Sequence, residues 1–517
     1  MKKLLKSLAC LLIVASLVAC GGDKGGTDKV VDDQFDVVVT TAPVGMHPIK
    51  TNDAPSTMVC AQIYETLYHR SYDGTTYEPL LAAEMPEFSE DGLTATIKLR
   101  EGVEFHDGTP FTAEAVGYLI DKTKDPAYGS MRASIVESID SYTIVDDHTI
   151  QLHLAYVDGV LIAKLAHSNA AIVNPVLDAT QDFLVNPAGA GTGAYKFESA
   201  VTGSNYKLVA NENYWGGAPE VKTVNYDVIA DESTAVARLQ TGEADGYFTV
   251  TAQSYNTVSN IPDYTAVNEK ASSIYYMALR SHEESSLNPL MANVEFRTAI
   301  LQSLDFDTFT ETMMNGLASR SNSIVGPTLV GYTEAMEAAG IKYDPEAAKA
   351  TIDKNGWAGQ KITLLTATRQ WQQDLAVFIQ AELAKVGIEC EIISEEWSAF
   401  LANAKLEDKM DFAILTWSNV TGDGQQMLEP NFSEKNGVRV KYNNAEFDAA
   451  VEASARTTVL EERQAHMLDA VKKIQGDAIV TPVYSSNQLY VYNSAKFADV
   501  QLDKGGVFYA KDFDVVE

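Results

Sequence analysis

Between residues 361 and 417 the sequence alternates strand, helix, strand, helix and strand. Residues 361–368 (KITLLTAT) read as a strand. Residues 375–386 carry a helical apolar stripe that Gly387 stops. Residues 388–393 read as a second strand and 397–404 as a second helix. Residues 412–417 (FAILTW) form a short strand that is apolar until its end. This order predicts an α/β unit with a sheet as its core. The carboxyl ends of strands in such sheets open onto a crevice where ligands bind. Arg369 and residues 418–424 stand just past those ends. At 517 residues the chain is long enough for two or three such units.

The stretch 186–248 adds a second framework. Gly189, Gly191 and Gly193 make a loop, followed by strands from Tyr195 and around 206–209. Asn213-Tyr214-Trp215-Gly216-Gly217 reads as a turn that Pro219 closes. Residues 221–229 alternate apolar and polar like a half-buried strand. Asp231 is placed to cap a helix over 233–241, with Ala235, Val236 and Leu239 facing inward and Gly242 ending it. The glycine spacing is GxGxG and a strand follows it. No helix N-terminus is offered to a phosphate, so the loop reads as a structural turn and not a dinucleotide site.

Elsewhere the pattern predicts a first strand at 35–41, a loop at 42–54 with His47 on the surface, and a helix at 55–68. Asp91-Gly92 marks a hairpin turn. His106-Asp107 reads as part of a hairpin, and Thr112 as the cap of the next helix. A hairpin turns around Asp146-Asp147, 161–173 is mostly helical, and 294–315 is an amphipathic helical piece. Asp344 caps a helix with Pro345 in its first turn. Residues 449–475 read as helix and 479–484 as strand.

The formal charge of −32 would repel phosphates, so nucleic acid is excluded as a partner. Lys2, Lys3 and Lys6 precede an apolar run at 8–18 that is too short for a comfortable membrane span. Residues 1–19 therefore read as a signal peptide. Leu17-Val18-Ala19-Cys20 has the form of a bacterial lipoprotein cleavage box, which makes Cys20 the lipidated first residue of a mature chain on a glycine-rich tether, 20–33. A plain signal peptide with an incidental cysteine is the alternative. Cys60 and Cys390 are expected as buried free thiols. No paired His spacing, CxxC or HExxH is present, so no metal and no cofactor is expected. Nor does any Ser, Cys or His have the context of a catalytic centre.

Several motifs together resemble the family 5 solute-binding proteins of ABC importers. Asn186-Pro187 followed by Gly191-Thr192-Gly193-Ala194-Tyr195 is similar to that family's NPxGTGPY loop. Asn211-Glu212-Asn213-Tyr214-Trp215 fits the family's NxxYW, and Tyr64-Glu65-Thr66-Leu67 fits YExL. Further matches are Asp91-Gly92-Leu93-Thr94, Leu99-Arg100, Phe105-His106-Asp107-Gly108, and Tyr343-Asp344-Pro345. The resemblance implies a periplasmic-binding-protein-like, two-lobed α/β fold with an extra small subdomain in the N-terminal lobe. It places the core of lobe I in 34–55, 186–272 and 486–517, the outer subdomain in 56–185, and lobe II in 273–485. Hinge strands are expected near 271–281 and 484–488. It also implies a binding protein, not an enzyme, that passes a peptide or similar solute to an ABC permease outside the cytoplasm; the cleavage box adds the lipid anchor, and monomer is the default state.

The resemblance extends to candidate ligand contacts. Arg369, before the IQAELAKVG helix, matches an Arg that holds a ligand carboxylate in dipeptide-binding members. Trp417 matches a Trp that contacts ligand. Peptide binders carry an Asp three residues after this Trp, where this chain has Val420; Asp423 is the candidate substitute. Arg280 stands where the family usually has Asn. A nickel-chelate receptor is the weaker alternative, since no His lies between His282 and His466. A sensory or adhesion lipoprotein on the same fold is a further one.

Overall fold

The computed structural model describes residues 32–282, 286–406, 409–419, 421–435, 437, 439–440 and 442–516. The signal peptide, Cys20, the glycine tether and Val420 lie outside the described residues. Among the described residues the largest sheet has eleven strands. It runs from Glu389–Glu395 through Lys361–Ala367, Phe412–Ser418, Tyr264–Leu279 and Val480–Asn493. It then continues through Gly246–Tyr247, Gln34–Val39, Thr223–Val228 and Asn205–Ala210 to Tyr195–Val201. The short strand Ala318–Ser319 pairs with Val480–Asn493 off this path.

The expected α/β unit is present. Lys361–Ala367 pairs in parallel with Glu389–Glu395 and with Phe412–Ser418. The helix between the first two strands, Gln370–Lys385, begins earlier than its apolar stripe suggests. Its first turn is held by tertiary contacts: Trp371 packs edge-on to Tyr275 at 4.6 Å, and the Gln372 amide donates to the Ile414 carbonyl at 3.1 Å.

Two antiparallel strands, Tyr264–Leu279 and Val480–Asn493, run through both halves of the sheet, pairing from Tyr264↔Asn493 to Ala278↔Val480. Their register breaks between Lys270 and Ile274. On one side of the break Phe35, Tyr226, Phe248 and Phe508 form one core. On the other, Met277, Phe296 and Ile414 belong to a second, and Ile274, Leu415 and Phe432 to a third. The chain thus makes two lobes, each with its own apolar interior, joined by strands that bend at Ser272 and Ser273. Lobe I carries an outer four-stranded sheet built from Glu87–Phe88, Thr94–Lys98, Thr149–Leu154 and Ile139–Asp146. The C-terminal segment returns to lobe I, where Phe497 and Phe513 pack edge-on to Phe35 at 4.9 and 5.3 Å.

The glycine loop is structural for two reasons. Gly189 has φ +79°. Gly191 and Gly193 instead permit close approach: an added Cβ would lie 1.9 Å from the Ile63 carbonyl at Gly191 and 2.5 Å from the Gln62 carbonyl at Gly193. Asp231 caps Glu232–Thr241 through Thr234 N–H, and Gly242 ends it with φ +73°.

Several expectations need correction. The helix predicted over 55–68 is Ala54–Ile63, capped by Asp53. It stops because the carbonyls of Ile63 and Leu67 are taken by the N–H groups of Gly193, Leu80 and Ala82. Within 161–173 only Leu161–Leu165 is α-helical, with a 3-10 turn at Ser168–Ala170. The helix predicted over 449–475 is two, Ala445–Ala455 and Leu460–Gly476. Thr112 holds the cap position without a side-chain cap bond. His47 is buried, its Nε2 3.0 Å from Asp178 and 2.9 Å from the Tyr128 hydroxyl, because the loop folds under the outer subdomain. Cys60 and Cys390 are buried free thiols, as expected.

Candidate functional site

The lobes meet around a cavity of about 320 Å³. Lobe I contributes Glu65, Arg70 and Arg132 to its wall, and the bend between the lobes contributes Ser272 and Ser273. Ser418, Asn419 and Thr421 face it from lobe II, and Lys504 and Tyr509 from the C-terminal segment. The lobes touch on either side of it. The Tyr77 hydroxyl donates to the Thr421 carbonyl at 3.0 Å. Gly159 N–H donates to the Ala455 carbonyl at 2.7 Å. The Arg456 guanidinium lies 4.0 Å from the centre of the Tyr156 ring. This is a closed arrangement.

Glu65 is fixed by three donors: the Thr192 hydroxyl at 2.8 Å, the Tyr214 hydroxyl at 2.6 Å and the Trp215 indole at 2.9 Å. Burial raises its pKa, and the three hydrogen bonds oppose but do not cancel that shift. Thr192, Tyr214 and Trp215 all come from the motif block at 186–248, so that block holds one wall of the cavity. His167 also lines the space, and burial lowers its pKa to about 3, so it is neutral. Among the described residues no group of three or more His, Cys, Asp or Glu is placed to hold a metal ion.

Arg369, Trp417 and Asp423 are not brought together on the cavity wall. Arg369 is exposed at the start of Gln370–Lys385 and stacks on Trp397, with its guanidinium carbon 3.6 Å from the ring centre. Trp397 is thus a packing residue. Trp417 is half-buried against the lobe II core, opposite Ile274 in the sheet, and its indole Nε1 is buried with no hydrogen-bond partner. The neighbouring Ser418 reaches the cavity. Asp423 is buried, and its carboxylate is committed to Arg463 at 2.8 Å and to Gln425 N–H at 3.0 Å. Arg280 is turned into lobe II, where it donates to the carbonyls of Ala404 and Leu406. His106 donates from Nε2 to the Gly193 carbonyl at 2.8 Å, the structural role read from the sequence.

Arg70 and Arg132 were not singled out in the sequence. Arg70 is the third residue after the YExL match, and Arg132 lies in a stretch with no motif. The one signal available was the adjacent His69-Arg70 pair, which ends the short strand Tyr68–Arg70.

Residues 76–438 match the family described as bacterial extracellular solute-binding proteins, family 5 Middle. The chain is 26% identical over 464 residues to heme-binding protein A of Haemophilus influenzae, covering 84% of this chain and 83% of that protein. It is 26% identical over 517 residues to the oligopeptide-binding protein AppA of Bacillus subtilis, covering 94% of each. The structure of HbpA2 from Haemophilus parasuis superposes with a TM-score of 0.85 at 21% identity, covering 94% of this chain and 100% of that one.

Proposed function

Because this chain belongs to the bacterial extracellular solute-binding proteins of family 5, we propose that it is the lipid-anchored receptor of an ABC importer and closes its lobes over a short peptide or similar small solute. As a member of that family it is a binding protein that works outside the cytoplasm with an ABC permease, and not an enzyme. The observation that carries the proposal is the enclosed space at the bend of the two long strands, walled by both lobes. A hinge there would open and close the space by changing few backbone angles. Relatives are named for heme and for oligopeptides. A cavity of about 320 Å³ falls within the range of small-solute pockets and fits a short solute.

Anchoring through Cys20 rests on the cleavage box in the sequence. Monomer is the oligomeric state we propose, since nothing in the cavity requires a second copy. For a ligand longer than this closed space, Trp417 is the proposed additional contact, because its indole N–H lacks a partner and Ser418 beside it already faces the cavity. Thermal unfolding with di- to pentapeptides and small organic acids tests the reading. A ligand present at a hundred times its Kd adds roughly 2.7 kcal/mol of stability. One class should therefore raise Tm clearly, and a flat response to every class would remove the peptide version.

A further inference from the structure

The cavity wall is unevenly supplied with counter-charge. Each carboxylate on it accepts at least one hydrogen bond from the protein. Glu65 has its three donors. Asp53 accepts from Ser56 N–H at 2.9 Å, and Asp503 from the N–H groups of Gly505 and Val507 at 2.8 and 3.0 Å. Asp512 accepts from the Tyr72 hydroxyl at 2.7 Å and pairs with Lys511 at 2.6 Å. Lys504 is paired with Glu269 at 3.2 Å and His69 with Glu78 at 3.3 Å.

Two guanidiniums differ. Arg70 makes one long contact, 3.4 Å from Nη2 to the Ser272 hydroxyl, and its Nη1 is buried without a hydrogen-bond partner. Arg132 donates only to the Asn52 side-chain oxygen, at 3.2 Å, and burial lowers its pKa. Among the described residues neither has an ion-pair partner. Both side chains are half-buried, and a cation drawn partly out of water without an acceptor is costly unless something supplies one. Arg70 also spans the site. It starts from lobe I, touches the bend at Ser272 and rests on Gly422 of lobe II, where an added Cβ would lie 1.8 Å from Nη1.

We propose that the solute taken into this cavity is a small acid and that its carboxylate sits on Arg70. Arg132 receives a second acidic group where the solute has one. A carboxylate on Arg70 gains a charge-assisted, fork-shaped partner, and it ties lobe I to the bend and to lobe II in one contact. This rests on reading the cavity as the solute site.

The test uses the full mature chain, with binding read by thermal shift, by titration calorimetry and by mass spectrometry of retained ligands. The probes are a mixed pool of N-acetyl dipeptides with free C-terminal carboxylates, the same pool amidated at the C-terminus, a pool of dipeptide amides with free amines, and the short dicarboxylates succinate and glutarate. Members of the acid pools should bind and their amides should not. Arg70→Gln should weaken the acids by on the order of 10- to 100-fold, the size of a lost hydrogen bond to a charged group, and Arg70→Lys should restore part of this. Arg132→Gln should weaken dicarboxylates more than monocarboxylates. Binding of the amides as well as of the acids, or acid binding indifferent to Arg70→Gln, overturns the proposal but leaves the receptor reading intact. Silence from the acid pools while the amine pool binds does the same. Silence from every pool counts against both.

Discussion

The carboxylate of Asp423 and the guanidinium of Arg463 form an ion pair of 2.8 Å with side chains 0% and 5% exposed. The pair ties the loop that carries Asn419 and Thr421 to the helix Leu460–Gly476. Arg463 also donates from Nε to the Ser454 carbonyl at 3.0 Å. Removing one partner leaves the other charge buried and alone. Arg463→Met is expected to cost roughly 3–5 kcal/mol, whereas Arg463→Met combined with Asp423→Leu should recover much of that loss. Urea unfolding of the two variants checks it. Equal stability of the single variant and the parent would mean that the pair is solvated in solution.

Closure depends on a glycine with no backbone reason to be one. Gly159 is not in the left-handed region, yet an added Cβ would lie 2.1 Å from the Thr457 carbonyl of the opposite lobe. Gly159→Ala should therefore fold normally and fail to close. The expected result is a larger radius of gyration by small-angle scattering and ligand binding weakened by about tenfold or more, with Tm in the absence of ligand little changed.

His106 links folding to acid pH. Its Nε2–H donates to the Gly193 carbonyl and its Nδ1 is buried without a partner, so the ring is held neutral. Burial lowers its pKa from 6.5 to about 4. A His with a depressed folded pKa stabilises fully above its unfolded pKa, and that stability is lost as pH falls through the folded value. Stability should fall from about pH 6.5 to about pH 4, by at most about 3 kcal/mol for this group. His106→Gln can keep the donor and removes the titration. The variant should show a flatter acid limb in thermal unfolding scans across that range.

How much of this was legible in the sequence follows from where the signals are local. The strands at 361–367, 389–395 and 412–418, the helix capped by Asp231 and the positive-φ stop at Gly242 were readable because their patterns are complete within a few residues. The break between Ala455 and Leu460 was not, since 456–459 contains no proline or glycine and only tertiary contacts end the first helix there. His47 looked exposed because nothing nearby in sequence forecasts that Tyr128 and Asp178, more than eighty residues away, would cover it. The cavity was hardest. Its wall joins residues near 65, 132, 272, 419 and 504, and what sets Arg70 apart is the lack of a partner, which a sequence does not record.

The two cysteines lie in the interiors of different lobes. Burial pushes the Cys390 thiol up to about 12 and that of Cys60 higher, so neither offers a thiolate near neutrality. Iodoacetamide at pH 8 should leave both unmodified in the native protein and modify both in denaturant, as peptide mapping would show. Reductant should not move Tm. Native alkylation at Cys60, which lies beside the cavity, would mean that the lobes open widely without ligand.

Glu65 offers the opposite pH sign from His106. Its carboxylate is buried, and burial raises its pKa even though Trp215, Tyr214 and Thr192 all donate to it. A group whose folded pKa is raised gives its full stability below the unfolded value, near 4.5, and loses it as pH rises through the folded one. Ionised Glu65 is therefore a net cost at neutral pH, which the three donors reduce. Glu65→Gln keeps an oxygen for Trp215 and Thr192, and its amide can donate to the Tyr214 hydroxyl. This variant should be at least as stable as the parent at pH 7, with the advantage shrinking toward pH 4. Glu65→Leu strands three buried donors instead, at roughly 1–3 kcal/mol each, and should be clearly destabilised at both pH values. Chemical denaturation of the three proteins at pH 4 and pH 7 separates these effects. A Glu65→Gln variant that loses stability at pH 7 would show that the carboxylate is favourably ionised in place.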